Sequence, residues 1–481
     1  MRIPRSLVVT VVALLPAPLV TAQTASNESE SARRIAVWGS SVANGAGDES
    51  QRGGYAGRLE TLLEPRGWVL FNQSRGGDST VTIRSRFEPG EAPDPDTEYL
   101  TTVDPAYVLI GLSLGNEGIA QCRLGQTRGC TSTSKEADAI YTQFASGLQR
   151  LISRARAAGI TPVVTLAYAR SDFSEREYAY TRRMNLLINS WDVPSVNLLG
   201  AIDDGEGRWA RGFWGDPLHP NAAGHTEMLH AFVPSLFAAL EAGKPVPVRS
   251  DARGFVRVRR NVAVPMSFDV DDTMRSFALT FMIRPAKDGI IATVNGQTLD
   301  YAVSVFRRSY GEFEWDTESM QLTPGGNRFA ATLSISDGSI GYRASSGNLI
   351  SSPVGSVARG WHHVTLSHYA ARGESLLYVD GQLIATVAER LQPESFFLGG
   401  PGRGGRGAKA ARADYKDWMV HRAGLNSDEV TALHQGRLLQ ASLEVYAPLN
   451  GTHRSVSENR AQSLSEIRID PAVVEFGSDT E

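Results

Sequence analysis

Between residues 34 and 240, short uninterrupted apolar runs alternate with longer stretches whose apolar residues recur every three to four positions. The runs at 35–38, 69–72, 107–112, 161–167 and 195–199 are too short for helices and lack polar alternation, as do strands covered on both faces. Residues 141–158 and 221–240 carry helical spacing. This order predicts a five-stranded parallel sheet wrapped by helices, an α/β unit over residues 33–243. The character changes at GKPVPVRSD, which reads as a Pro-containing linker over 244–253. Beyond it, runs at 277–283, 329–335, 361–368 and 375–379 are punctuated by Gly, Asp and Asn, and Asp380-Gly381 stands between Leu377-Tyr378-Val379 and Gln382-Leu383-Ile384 as a hairpin turn. Two stacked antiparallel sheets over 254–450 satisfy this pattern. The polar tail, 451–481, is expected to be poorly ordered.

Composition narrows the setting. A chain of 481 residues exceeds what one core organises, which agrees with two units. With 48 basic and 52 acidic side chains, the net charge of -4 provides no general attraction for nucleic acid or an anionic membrane. Residues 1–22 place Arg2 and Arg5 ahead of an apolar stretch, followed by small residues at Val20 and Ala22, the pattern of a cleaved export signal. Broken by Pro16 and Pro18, that stretch falls short of the ~20 residues a membrane span needs, so stable membrane insertion is not expected. Export to the periplasm or the exterior would let the chain's two cysteines, Cys122 and Cys130, pair as a disulfide closing a short loop.

In open α/β sheets, ligands bind beyond the carboxyl ends of the strands. After the first run stands Gly39-Ser40-Ser41-Val42, a small-residue turn able to present the Ser41 hydroxyl at a helix N-terminus. After the second stands Gly76-Gly77-Asp78-Ser79, where glycine lets backbone N–H approach a substrate. After the third stands Gly115-Asn116-Glu117-Gly118, whose Asn116 amide offers a second donor to the same oxyanion. Before the last helical stretch stands Asp216-Pro217-Leu218-His219-Pro220-Asn221, a spacing that lets a carboxylate and an imidazole meet across one turn. A serine hydroxyl is a weak nucleophile at its own pKa and needs such a base, held in the right tautomer by a carboxylate. Each fragment alone also reads as an ordinary turn or helix start; their joint placement at strand ends carries the chemistry. Trp38, Tyr168, Arg170 and Trp214 flank these blocks as candidate substrate contacts, with core burial the alternative. Placed soon after Asn116, the Cys122–Cys130 loop is expected on the pocket rim.

These four blocks together resemble those of the SGNH (GDSL) hydrolase family over roughly residues 34–243. The resemblance implies a flavodoxin-like three-layer domain, Ser41 as nucleophile, His219 as base and Asp216 as its partner. It also implies an oxyanion hole from the Ser41 backbone, Gly77 and Asn116, and no metal or organic cofactor. Two blocks depart from the family pattern: Ser40 stands where the family has an acid, and Leu114 and Glu117 stand at the outer positions of the third block. Neither removes a group that does chemistry.

The second half, through Trp361-His362-His363-Val364, Leu377 to Gly381, Asp414-Tyr415-Lys416-Asp417-Trp418 and the stretch from Leu425 to Val430, resembles LamG/concanavalin A-like jelly rolls. Its tryptophans read as core, Asp380 as a turn residue and His362-His363 as strand residues. No dense Asp/Asn loop has calcium-ligand spacing, so calcium in this half is left open. The basic stretch 401–412, with Arg403, Arg406, Lys409 and Arg412, is a candidate contact for an anionic glycan. Together the two resemblances imply a secreted serine esterase removing O-acyl, above all O-acetyl, groups from a polysaccharide held by the β half. The alternatives are a lipase or lysophospholipase and an inactive carbohydrate-binding or adhesion protein.

Overall fold

The computed structural model describes residues 33–478 except for 123–128, 251–252, 259–262, 311–312, 358–359, 404–407 and 451–457; the expected export signal, 1–22, lies outside the described residues. Five parallel strands, β1 (Arg34–Gly39), β2 (Val69–Asn72), β3 (Tyr107–Gly111), β4 (Thr161–Thr165) and β5 (Ser195–Val196), form one sheet in the order β2-β1-β3-β4-β5. All five fall on the expected apolar runs. The chain leaves β1 to one side for β2 and to the other for β3, so a crevice opens at the carboxyl ends of β1 and β3.

Helices cover both faces because strand residues alternate sides. Ile35, Val37 and Leu109 pack with α1 (Gly54–Leu63), α5 (Ala222–His230) and α6 (Leu236–Glu241) through Tyr55, Leu59, Met228 and Phe237. Ala36, Trp38, Val108 and Ile110 pack with α2 (Ser134–Ala157) and α3 (Glu175–Ile188) through Phe144, Leu148, Met184 and Ile188. The helix α2 begins seven residues before the apolar spacing is apparent, because Thr133 and Glu136 form a reciprocal cap that satisfies its first N–H groups. The single helix expected over 221–240 is two, with Pro234 in the gap where it removes a donor. A short turn of helix, α4 (Leu199–Ile202), follows β5.

The second half is an antiparallel sandwich. One sheet contains β8 (Gly254–Val258), β10 (Phe277–Lys287), β15 (His362–Tyr369), β16 (Glu374–Val379), β17 (Gln382–Ala388), β19 (Arg412–His421), β20 (Leu443–Ala447) and β22 (Val474–Ser478). The other contains β9 (Met266–Asp269), β11 (Gly289–Tyr310), β12 (Phe313–Ser336), β13 (Ser339–Arg343), β14 (Leu349–Ser351), β18 (Leu391–Leu398) and β21 (Ile467–Ile469). Alternate residues of β10, Phe277, Leu279, Phe281 and Ile283, meet Phe396 and Leu398 of β18 in the core between the sheets. Asp380 and Gly381 both take positive φ, as a tight hairpin turn between β16 and β17 requires, and Asp380 binds His362 Nδ1 at 2.8 Å.

The tail departs from its expected disorder. Its described residues supply β21, paired with β9, and β22, paired with β8, with Ile467 and Val474 buried at the sandwich edge. The linker is likewise anchored: Lys244 Nζ donates to the carbonyls of Asn459 and Ser463, and Arg249 pairs with Asp417. A short helix, α7 (Ser427–His434), packs its Leu433 and Val430 with Tyr369 and Tyr446.

Candidate active site

β1 ends at Gly39 against Gly111 of β3, so closely that a Cβ on Gly39 would lie 2.5 Å from the Gly111 carbonyl oxygen. Ser40 N–H donates to that same carbonyl, and the chain then coils through hydrogen-bonded turns in which Ala46 N–H donates to the Ser41 carbonyl. Ser41 thus stands on a run of turns; the helix expected directly after it begins only at Gly54.

Asp216 and His219 face each other in a hairpin of β6 (Trp214–Asp216) and β7 (His219–Pro220), turning through Pro217 and Leu218. His219 Nδ1 lies 2.8 Å from Asp216 Oδ2 and 3.0 Å from Oδ1, and Leu218 N–H donates to Oδ1 at 2.8 Å. His219 Nε2 lies 3.0 Å from Ser41 Oγ. Burial would raise the Asp216 carboxyl, but hydrogen bonds and charge from His219, with backbone N–H donors, hold it below the usual carboxylate range.

Ser41 and His219 form part of the wall of an open cavity of about 390 Å³, lined also by Val42, Gly77, Ser113, Asn116, Tyr168, Arg170 and Leu218, with Asp216 behind His219. Gly77 takes a φ of +83° beside the cavity. The backbone N–H groups of Ser41 and Gly77 have no acceptor among the described residues. Asn116 Nδ2 uses one hydrogen on the Asp78 carbonyl at 3.1 Å, leaving the other. Three donors from three strand ends therefore border the space beside Ser41 Oγ, the arrangement that stabilises an oxyanion.

Buried ion pairs fix these loops. Asp78 is paired with Arg86 and accepts from Thr82 Oγ1, which pins the loop carrying Gly77. Glu117, at the position where the third block departs from the family pattern, is buried; it accepts from Thr80 N–H and from Gln143 Nε2, tying this block to the second and to α2. Asp48 is held low by Arg58 and Ser50 against the opposing effect of burial, and Arg58 reaches the Ala222 carbonyl at 3.2 Å. His225 is pushed down to about 4 by burial; its Nδ1 accepts from Tyr55 N–H and its Nε2 donates to the Ala46 carbonyl. Asp48 and His225 thus brace the segment between Ser41 and α1 against the helix that follows His219. The polar residues scattered over 46–58 gave no sign of this in isolation.

Not every candidate contact reaches the cavity. Trp38 is fully buried, edge-on to Phe87 at 5.9 Å, because its strand position faces the α2 layer. Trp214 lies partly buried against the opposite core layer and does not line the cavity. Tyr168 and Arg170 do line it. Arg170 is fixed by Asp172, with Nε–Oδ1 at 2.8 Å and Nη2–Oδ2 at 2.6 Å, and its Nη1 occupies the space a side chain on Gly115 would take. Cys122 and Cys130 form a disulfide, but neither lines the cavity, and most of their loop lies outside the described residues. In the basic stretch Arg403 pairs with Asp269, while Arg406 lies outside the described residues. Among the described residues no group of three or more His, Cys, Asp or Glu side chains is placed to hold a metal, and no helix is long and apolar enough to cross a membrane.

Residues 37–226 match the model of the GDSL-like Lipase/Acylhydrolase family, a span that contains all four motif blocks. A search of curated proteins gives no match. Among solved structures, a putative acylhydrolase from Bacteroides fragilis is 13% identical, covering 45% of this chain and 95% of its own, with a TM-score of 0.29. A heptameric SAP-like pentraxin from Limulus polyphemus is 13% identical, covering 48% of this chain and 97% of its own, with a TM-score of 0.30. A putative carbohydrate binding protein from Bacteroides ovatus is 12% identical, covering 48% of this chain and 61% of its own, with a TM-score of 0.33.

Proposed function

We propose that the protein is a secreted serine esterase that hydrolyses O-acyl esters, with O-acetyl groups on a polysaccharide as the favoured substrate. The observation that carries the reading is the unbroken contact Asp216–His219–Ser41 at the wall of a cavity also bordered by Gly77 and Asn116. In this mechanism Ser41 Oγ attacks the ester carbonyl as His219 Nε2 takes the hydroxyl proton, and Asp216 steadies the imidazolium. Negative charge on the carbonyl oxygen is met by Ser41 N–H, Gly77 N–H and the Asn116 amide. Collapse breaks the bond to the alcohol, which leaves with the proton from His219. Water, deprotonated by the same imidazole, then attacks the acyl-serine, releasing the acid and restoring the Ser41 hydroxyl.

The guanidinium of Arg170 in the cavity wall, fixed by Asp172, favours a short acyl chain on a polar alcohol over a long lipid chain. Secretion is supported by the export pattern at 1–22 and the disulfide. The test is hydrolysis of p-nitrophenyl acetate through octanoate, then of acetylated xylan. Loss of turnover in Ser41→Ala, with acetate preferred over octanoate and acetate released from the polymer, is the expected result. Full turnover in Ser41→Ala would overturn the serine mechanism, and a preference for octanoate would overturn the acetyl assignment.

A further inference from the structure

β11 and β12 are far longer than the sandwich that holds them. β18 pairs with β11 only from Ala292 to Thr298, and β13 pairs with β12 only from Thr332 to Ser336. Beyond these and the bond from Leu299 N–H to the Arg390 carbonyl, the two strands pair in the sheet only with each other and form an arm that leaves the sandwich. The arm lies on the α/β half: Leu299 and Leu322 are buried in that half's core, and Met320 packs against it.

Three consecutive arm residues grip both ends of the segment that carries Asp216 and His219. Met320 N–H donates to the Gly212 carbonyl at 2.8 Å, and a Cβ on Gly212 would lie 2.6 Å from Met320 Cβ. Glu318 pairs through both carboxylate oxygens with Arg211, at 2.7 Å each, and its carbonyl accepts from Asn221 Nδ2 at 3.4 Å. Ser319 Oγ donates to Glu49 Oε1 at 3.3 Å, while Glu49 Oε2 accepts from Ala222 N–H at 2.8 Å. Asn221 closes the ring: Nδ2 donates to Gly212 O at 2.9 Å, and Oδ1 caps α5 at Gly224 N–H.

Between these anchors lie residues 213–220, with three residues in β6 and two in β7, held within the span by the buried Phe213 and by Ser171 N–H, which donates to the Pro217 carbonyl at 2.8 Å. An isolated two-stranded hairpin of that length has no stability of its own in water. Where it sits, and so whether His219 Nε2 meets Ser41 Oγ, depends in part on what holds residues 211–212 and 221–222. The arm of the other half of the chain contributes to that support, and neither Glu318, Ser319 nor Met320 lines the cavity.

We propose that the β11–β12 arm is a positioning element for the esterase site: the Met320 N–H, with Glu318 and Ser319, sets the Asp216–His219 hairpin against Ser41. The proposal rests on the serine esterase reading above. It gives the sandwich a positioning role in addition to any binding role.

The Met320 N–H points to Gly212 and away from β11, so Met320→Pro removes it on a strand edge where proline is tolerated. Met320→Ala shortens the side chain and keeps the N–H. With full-length protein and p-nitrophenyl acetate, Met320→Pro is expected to lower kcat about 10–100-fold, as a displacement near 1 Å does, with KM within about twofold. Met320→Ala should retain kcat within about threefold, since the N–H is the operative group. Thermal unfolding and circular dichroism establish that both variants are folded. Should Met320→Pro fail to fold, Glu318→Ala/Ser319→Ala, which leaves the backbone alone, takes its place with an expected loss in kcat of about 3–10-fold.

Wild-type kcat in folded Met320→Pro, or in the double variant where that substitutes, would overturn the proposal. So would equal losses in the proline and alanine variants, or a loss confined to KM. The parent reading fails separately, through turnover in Ser41→Ala.

Discussion

Replacing Asp216 by Asn tests how the imidazole is held, and the structure says which way the new amide would turn. Leu218 N–H donates to Asp216 Oδ1 at 2.8 Å, so an asparagine keeps its oxygen at that position and places its NH2 where Oδ2 now stands, 2.8 Å from His219 Nδ1. An NH2 there donates to Nδ1 and shifts the ring proton towards Nε2, which faces Ser41 Oγ at 3.0 Å, against the competing acceptor Oδ1, which stays 3.0 Å from Nδ1. The base then points a hydrogen at the hydroxyl it should deprotonate. In a serine protease the corresponding swap preserves geometry and lowers kcat about 10⁴-fold, which at 1.36 kcal/mol per decade is about 5 kcal/mol of transition-state stabilisation. The Asp216 side chain here is 29% exposed, so water partly competes for the ring, and the expected fall in kcat is about 10²–10⁴-fold. The assay is kcat on p-nitrophenyl acetate at pH 7.5, beside Asp216→Ala, which removes the carboxylate without imposing the wrong tautomer. An Asn variant within about tenfold of wild type, or one markedly more active than the Ala variant, would refute the reasoning.

Gly47 has a φ of +86° and packs on Pro220 O, with a Cβ there lying 2.9 Å from His219 Cβ. Gly47→Ala should therefore cut kcat about 10–100-fold while a fluorescent-dye melt shows a folded protein. Burial, outweighing Arg275 at 3.6 Å, pushes the Glu227 carboxyl from 4.5 up to about 7. Between pH 4.5 and 7 the unfolded chain ionises first, so folding loses stability as pH rises, and above 7 the loss is constant. Glu227→Gln should gain in Tm over wild type across that window; a difference in Tm independent of pH would count against this. The disulfide closes a loop at a sequence separation of 8, so Cys122→Ser/Cys130→Ser should lose about 2–3 kcal/mol in urea unfolding. At the junction of the two halves, a Cβ on Gly200 would meet the Gly424 carbonyl, and Gly200→Ala should cost about 1–3 kcal/mol, read as a lower Tm by calorimetry.

What the sequence disclosed follows from the range of the interactions involved. The strands β1, β3 and β4 inside the sheet are buried on both faces along almost their whole length, which demands continuous apolar runs, and each was legible for that reason. Asp216 and His219 face each other through a two-residue turn, a local arrangement that their spacing announces. The α1 and α3 helices escaped notice because each buries polar or charged residues, Arg58 in one and Glu177 and Asn185 in the other, which interrupt the apolar spacing of the buried face. The arm is harder still, since Gly325 and Gly326 sit inside a region that pattern alone reads as a turn, yet β12 runs through it. Trp38 was a candidate contact because it adjoins Ser41 in sequence, whereas alternation along β1 turns it to the α2 layer. The tail strands are three and five residues long, too short for alternation to register above the surrounding polar residues.

The linker between the two halves does little of the joining. Leu299, Leu322, Ala370 and Ala371 of the β half complete a core whose other members belong to the α/β half. Asn197, just past β5, donates its side-chain amide to Glu429 at 3.0 Å and its backbone N–H to Ser442 Oγ at 2.7 Å, both buried. Gly424 N–H donates to the Gly200 carbonyl, and Ser442 N–H to that of Ser195. Buried backbone groups joined in this way cannot separate without leaving donors and acceptors unpaired, which costs about 1–3 kcal/mol for each. A tethered binding module raises the concentration of substrate near an active site by an amount that linker length and stiffness determine. Under the polysaccharide esterase reading proposed above, the rigid junction makes this effect geometric: ester groups on a polymer bound by the sandwich would stand at fixed distances from Ser41, and spacing along the polymer would decide which are cleaved.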